Sequence, residues 1–330
     1  MMEAEKQPMT LYLVVPCYNE EAVLPETAKQ LGAKFAHLIR DGRISRESRI
    51  TFVNDGSKDG TWALISQLCS GKGARLFCGI DLAHNAGHQA AVLAGLMTVK
   101  DRCDAAITMD ADLQDDVDAI DQMVDAYYAG NQVVYGVRSS RKTDSWFKRR
   151  TAESFYRFMK LMGTEVVYNH ADFRLMSRRV LDELSHFPES NLFLRGMIPM
   201  IGFQSTNVYY ERHERFAGES KYPLRKMVHF AAEGITSFSV KPLKIITNLG
   251  FIMVAVSIIM FLWAFFTKFT GHSEQGWSST VCSIWLIGGI QTLCLGIIGE
   301  YIGKIYAEVK RRPRYIVAQF LHDEEQDPEA

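Results

Sequence analysis

Over roughly the first 140 positions, short, mostly apolar, β-rich runs alternate with longer segments in which apolar residues recur at helical spacing. The short runs are Leu11 to Val15, Ile50 to Val53, Arg75 to Cys78, Ala105 to Met109 and Gln132 to Tyr135. The longer ones are Glu20 to Ile39, Trp62 to Cys69, Gln89 to Val99 and Val117 to Tyr128. Strands apolar on both faces and separated by helices predict an α/β domain with a mainly parallel sheet covered on each side. In such a sheet ligands bind outside the carboxyl ends of the strands. The polar clusters Tyr18-Asn19-Glu20, Asn54-Asp55-Gly56 and Asp110 to Asp115 each follow one of these runs, so they predict a single site.

Residues 141 to 221 are mixed and polar, and are expected to be helices and loops that complete the cleft. From Pro223 to Lys244, apolar Leu224, Met227, Val228, Phe230, Ala231 and Ile235 mingle with Arg225, Lys226, Lys241 and Lys244, as in an amphipathic helix lying in a membrane interface. Ile245 to Phe266 is uncharged and about 33 Å long as a helix, enough to span the hydrocarbon core. A second uncharged run, Thr280 to Gly299, follows. Lysines flank the start of the first run, Lys304, Lys310, Arg311, Arg312 and Arg314 follow the second, and the intervening 267–279 holds Lys268 alone. The positive-inside rule then predicts a multi-pass protein of the cell membrane with a short external loop and both termini cytoplasmic. The expected domains are 1–222 catalytic, 223–244 interfacial, 245–266 and 280–303 spanning, 267–279 external, and 304–330 a basic then acidic tail, disordered from Asp323.

Composition narrows the partners. The formal net charge is −1, so no overall basicity argues for nucleic acid; the local clusters Lys148-Arg149-Arg150, Arg178-Arg179 and Lys310-Arg311-Arg312 suit membrane lipids or phosphates. The six cysteines have no metal-like spacing and read as reduced thiols. The first nine residues carry no signal-peptide apolar core. Neither a GxGxxG nor a P-loop pattern is present, which argues against hydride transfer and against a P-loop NTPase.

Asp110-Ala111-Asp112 closes an apolar strand with two carboxylates one residue apart, followed by Asp115. Hard oxygen ligands of this kind hold Mg²⁺ or Mn²⁺ together with substrate phosphates, and the cation would neutralise a leaving diphosphate. Asp55 could accept from a base N–H or belong to an Asx turn in Asn54 to Gly60, and Glu20 could hold a sugar hydroxyl or cap the following helix.

In order along the chain, Pro16-Cys17-Tyr18-Asn19-Glu20-Glu21, Asn54 to Gly60, Asn85-Ala86-Gly87-His88 and Asp110 to Asp115 resemble the successive motifs of family 2 glycosyltransferases with the GT-A fold. Asp172 to Arg178, Asn191 to Gly196, Arg215 to Tyr222 and Gly299 to Tyr306 resemble the polyprenyl-phosphate members, bactoprenol glucosyltransferases above all, which are relatives of dolichol-phosphate mannose synthase. The likeness runs from Leu11 to Ile316. It implies inverting transfer of a hexose, glucose first, from a UDP-sugar to undecaprenyl phosphate at the cytoplasmic membrane face. N-acetylglucosamine, mannose or an aminosugar is the alternative. It further implies nucleotide-sugar contacts at Pro16, Tyr18, Glu20, Asp55, Asn85, Asp110, Ala111 and Asp112, a metal on Asp110 and Asp112, and Gln114 near the sugar. Asp112, Asp172 and Gln114 are the expected catalytic residues. Relatives often have Arg-Asn in place of His84-Asn85 and a proline in place of Asp116.

Inverting transfer to an alcohol needs a base. A phosphate monoester, with a second pKa of about 6, is already a competent nucleophile, so Asp172 is expected to orient the acceptor or stabilise the sugar cation. Arg212, Arg215 and Lys221, ahead of the interfacial segment, are the expected seat of the acceptor phosphate, with Arg138 and Arg195 as further candidates. A processive synthase would carry Gln-x-x-Arg-Trp, which no tryptophan here completes. A lipid-binding or flippase accessory protein would explain the apolar pair but not the acidic loops. Gly288-Gly289 offers a contact for a homo-oligomer.

Overall fold

The computed structural model describes residues 7–71, 74–138, 170–189, 192–211, 242–248, 250–252, 255–256, 259 and 277–322. They fall into two compact units: 7–211 with 312–322 in the first, and 242–311 in the second.

The first unit is an eight-stranded sheet in the order β7-β5-β6-β4-β1-β2-β3-β8. β1 (Leu11–Cys17), β2 (Arg49–Asn54), β3 (Phe77–Leu82) and β4 (Ala105–Thr108) are mutually parallel, as are β5 (Val133–Arg138) and β7 (Ser205–Tyr210). β6 (His170–Ser177) lies antiparallel between β4 and β5, and β8 (Val317–Leu321) lies antiparallel on the outer edge of β3. The expected α/β domain with a mainly parallel GT-A-like sheet is therefore what the chain forms. On one face Leu11, Leu13 and Val15 meet Leu24, Ala28, Leu31, Phe35 and Leu38 of α1 (Leu24–Arg40), whose three- and four-residue spacing makes a single apolar stripe. α2 (Thr61–Ser70) and α4 (Ala119–Tyr128) extend this layer. On the other face α3 (His88–Val99) is buried almost all round, and Gly95 lets its backbone approach Val14 and Val53. α5 (Arg178–Ser185) packs beside α3, and α6 (Leu194–Met200) beside α5.

Two sequence expectations change. Arg75-Leu76 belong to a 3₁₀ turn, and the strand runs on through Gly79 and Asp81. Gly79 fits there because a Cβ would lie 2.6 Å from Ile65 of α2. Within 141–221, expected to be helices and loops, β6 and β7 complete the sheet. β6 carries His170, Asp172 and Arg174, so it lacks the apolar run that marks the other strands. Likewise β8 was not foreseen; by pairing with β3 it covers a strand edge that would otherwise be open.

In the second unit residues 242–248 are helical, and α7 (Trp277–Val309) is a single 33-residue helix. It exposes Ile284, Ile287, Leu295, Ile298, Ile302 and Ile305. For the expected two-helix transmembrane hairpin, no helix among the described residues is long and apolar enough to cross a membrane. Most of the first expected span, the interfacial segment up to residue 241, most of the expected external loop 267–279, several α7 side chains between 277 and 293, and the tail from 323 lie outside the described residues.

Candidate functional site

Parallel strands send their following loops to one edge, and β6, running the other way, brings its beginning there. Thr108 at the end of β4 pairs with Arg174, and its hydroxyl donates to the Asp172 carbonyl. The loops after β1, β2, β3 and β4, the start of β6 and the ends of β5 and β7 therefore share one rim.

The loop after β1 places Pro16 in the buried strand end, Tyr18 exposed and Glu20 half-buried. Asn19 sits at φ 56°, where a non-glycine residue is strained. Its amide accepts from Lys58 N at 2.8 Å, which locks this loop to the one after β2. The Glu20 carbonyl, not its carboxylate, takes the first amides of the α1 entry, Val23 N and Leu24 N. In the β2 loop the Asx-type bond is made by Asn54, which accepts from Ser57 N.

Asp55 is buried, and its two oxygens accept from Ala86 N at 2.7 Å and Gly87 N at 3.0 Å, while Asn85 Nδ2 donates to the Asp55 carbonyl. Each carboxylate oxygen keeps a second lone pair for a base N–H. Gly56, at φ 63°, is required here because a Cβ would strike Asn85 N at 2.6 Å. Together these bonds fix the 85–87 loop and so aim His88, the first residue of α3.

After β4 come Asp110 and Asp112, both half-buried, with Ala111 and Gln114 buried. The Ala111 carbonyl accepts from the Thr27 hydroxyl at 2.8 Å, and the Gln114 amide N–H donates to Asp112 Oδ1. Leu113 between them has φ 54°, a second strained position on the same rim. Burial, with the charges of Asp172, Asp115 and Asp112 outweighing relief from His88, pushes the Asp110 carboxyl up to about 6. Hard oxygens that repel one another suit a divalent cation. Among the described residues no group of three or more His, Cys, Asp or Glu is arranged to hold a metal.

Beside this loop, Asp172 receives Arg195 Nε and Nη2 at 3.1 and 3.0 Å and Arg174 Nη2, with His88 Nε2 3.5 Å away. Burial would raise the Asp172 carboxyl, but the bond from His88 and the charges of Arg174 and Arg195 hold it well below the ordinary carboxylate range. His88 Nε2 is also 3.7 Å from Asp110 Oδ1, so one imidazole reaches both carboxylates. Burial pulls its pKa down; the bond to Asp172 and both carboxylate charges prevail and raise it. Arg138 is held by Asp115 at 3.1 Å, and Tyr210 donates to the same Asp115 oxygen at 2.5 Å.

The rim thus gathers the expected donor and metal residues with Asp172. Arg212, Arg215 and Lys221 lie outside the described residues. His88 and Arg174 lie within sequence motifs, but their part in the site depends on neighbours from distant strands; an arginine two residues from an aspartate in one strand is the signal the sequence holds.

Comparison with known proteins came out as follows. The pattern of "Glycosyl transferase family 2" matches residues 12–185, and that of "GtrB C-terminal hairpin" matches residues 241–305. The chain is 52% identical over 324 residues to the Bacillus subtilis (strain 168) "Uncharacterized glycosyltransferase YkoT", covering 98% of this chain and 95% of that one. It is 39% identical over 311 residues to the "Prophage bactoprenol glucosyl transferase homolog" of Escherichia coli (strain K12), covering 94% and 98%. Over 313 residues it is also 39% identical to the "Bactoprenol glucosyl transferase" of Shigella phage SfV, covering 94% and 98%.

Proposed function

The chain belongs to glycosyltransferase family 2, with a GtrB-type C-terminal hairpin, and on that footing we propose that it moves a hexose from a UDP-sugar to a polyprenyl phosphate at the cytoplasmic face of a membrane. Glucose is the first choice of sugar, in keeping with the names of the bactoprenol glucosyl transferases it resembles along 94% of its length. The observation that carries the reading is the meeting, on one rim, of the Asp110–Asp112 carboxylates with the arginine-bound Asp172.

In this mechanism the loops after β1 and β2 bind the nucleotide, with Asp55 and Asn85 shaping the pocket. Asp110 and Asp112 would hold Mg²⁺ or Mn²⁺, which when bound supplies positive charge to the departing diphosphate. An oxygen of the acceptor phosphate attacks the anomeric carbon; that C–O bond forms as the bond to the nucleoside diphosphate breaks, and the diphosphate leaves with the electron pair. The sugar inverts. The attacking phosphate is already ionised, so no proton has to be taken from it. Asp172, held ionised between two arginines, is a poor proton acceptor, which supports an orienting rather than a basic role.

The exposed isoleucine and leucine positions of α7 support a lipid-facing second unit, and the lysines and arginines flanking the two apolar runs support cytoplasmic termini. The test is to offer membranes containing the chain a panel of labelled nucleotide sugars and follow label into organic solvent. UDP-glucose label should enter the lipid phase, cease after chelation, and resume with Mg²⁺ or Mn²⁺. Entry of a different sugar would correct the donor, and no transfer from any of them would sink the reading.

A further inference from the structure

Residues 313–322 follow α7 in the chain, belong to the first unit, and lie outside both matched family patterns. They run along that unit as a strap. The Ile316 carbonyl accepts from Ala83 N at 2.9 Å, and β8 then pairs with β3. Further on, Phe320 lies beneath the Arg102 guanidinium, and His322 Nε2 is 3.1 Å from the Tyr12 hydroxyl. At the start of the strap, Pro313, Arg314 and Tyr315 face Leu93 of α3 and Leu184 of α5 across a cavity of about 340 Å³, so packing alone does not pin it there. Arg314 makes the directed contact instead: its Nη2 donates to the Phe187 carbonyl at 2.9 Å. That carbonyl needs a donor, because α5 ends at Ser185 and Pro188, which has no N–H, prevents another helical turn. A cation is also favoured at a helix C-terminal end.

Both segments held by the strap lead to the rim. Seven residues beyond Phe187, the Leu194 N–H donates to Gln89 Oε1 at 2.9 Å, and the next residue, Arg195, grips both oxygens of Asp172. Ala83 opens the segment whose Ala86 and Gly87 N–H groups clamp Asp55, and which ends on His88, 3.5 Å from the same Asp172. We propose that Arg314 is a positioning residue for sugar transfer: by holding the Phe187 carbonyl it fixes the approach to α6, and with it the place where Arg195 presents Asp172. The inference rests on the transfer reading above and adds a residue that acts from outside the rim. Its effect runs through Arg195, not through contact with a substrate. Ala83 is held by the backbone of the strap and not by this side chain, so the Asp55 clamp does not depend on Arg314.

The experiment uses the purified full chain in detergent, with UDP-glucose and undecaprenyl phosphate as substrates. Arg314→Met keeps the apolar stem and removes the donor. It should lower kcat by about tenfold or more, the size of one lost hydrogen bond to a charged group. The KM for UDP-glucose should stay within about twofold of wild type, well below that tenfold effect. In hydrogen exchange, α6 peptides of the variant should lose about tenfold in protection while β1 and β2 peptides match wild type. Arg314→Lys, which can still donate to the Phe187 carbonyl, should regain most of kcat. Tyr12→Phe removes the far anchor of the strap and should leave kcat within about twofold, since only the near end governs α6. An unchanged kcat in Arg314→Met, no recovery in Arg314→Lys, or an equal loss in Tyr12→Phe would overturn the proposal. If wild type transferred no sugar, the exchange of α6 would still decide: faster exchange in Arg314→Met would keep this anchor while the transfer reading fell, and equal exchange would remove both.

Discussion

Asp172→Asn should destabilise the fold more than Arg174→Met, although Arg174 is the more deeply buried of the two. The asparagine keeps the shape of the carboxyl but loses the charge that faces Arg174, Arg195 and His88. Arg174, 2% exposed and with Nη1 already unpaired, would then be an uncompensated cation in the interior. Removing one partner of a buried pair costs about 3–5 kcal/mol. Arg174→Met removes the trapped cation itself and leaves Asp172 its two-point contact with Arg195, so a change within about 1 kcal/mol is expected, in line with replacing a buried ion by a hydrophobic side chain. The double variant should recover about 2 kcal/mol relative to Asp172→Asn alone, because the two groups interact directly. Hydrogen exchange by mass spectrometry, read on β4 and β6 peptides across a urea series, reports this cycle locally. Should Asp172→Asn leave those peptides as protected as wild type while turnover collapses, the carboxylate would be acting in the chemistry and the electrostatic account would be wrong.

Other expectations can be checked separately. Gly95→Val places atoms where a Cβ already meets Val14 Cγ1 at 2.3 Å and Val53 Cγ2 at 2.8 Å, and should cost about 1–3 kcal/mol or more in thermal unfolding. Asp55→Asn loses at least one of the bonds from Ala86 N and Gly87 N, so about 1.5–3 kcal/mol of loop stability should go and UDP affinity should fall with it; unchanged UDP binding in calorimetry would count against the clamp. Burial, then the charge of Asp104, pushes the Cys103 thiol up to about 12. A raised pKa leaves less thiolate, so native protein at pH 8 should resist alkylation at Cys103 and react there only once unfolded. Asp110→Asn with Asp112→Asn should abolish metal-stimulated transfer while leaving the sheet's circular dichroism intact.

The local pattern carried much of the architecture. β1, β2, β4 and β5 announce themselves as apolar runs, and a sheet of parallel strands necessarily sends the loops after β1, β2 and β4 to one rim. The sequence pattern alone therefore groups Asp55, Asp110 and Asp112. The strained φ of Asn19 and Leu113 had no signature of its own, since neither residue type demands it. β6 escaped because it has no apolar run: His170, Asp172 and Arg174 alternate with its apolar residues; its place between β4 and β5 is fixed by hydrogen bonds to strands far away in sequence. That insertion is what carries Asp172 and Arg174 to Thr108, and thence to His88 and Arg195. β8 escaped for the same reason, being a short segment that becomes a strand only against the edge of β3. Periodicity is written in neighbouring residues, so the sequence determined the layers, the rim and the acidic loop. Which distant charges would share one carboxylate depended on non-local strand pairing, and only the tertiary structure decided that.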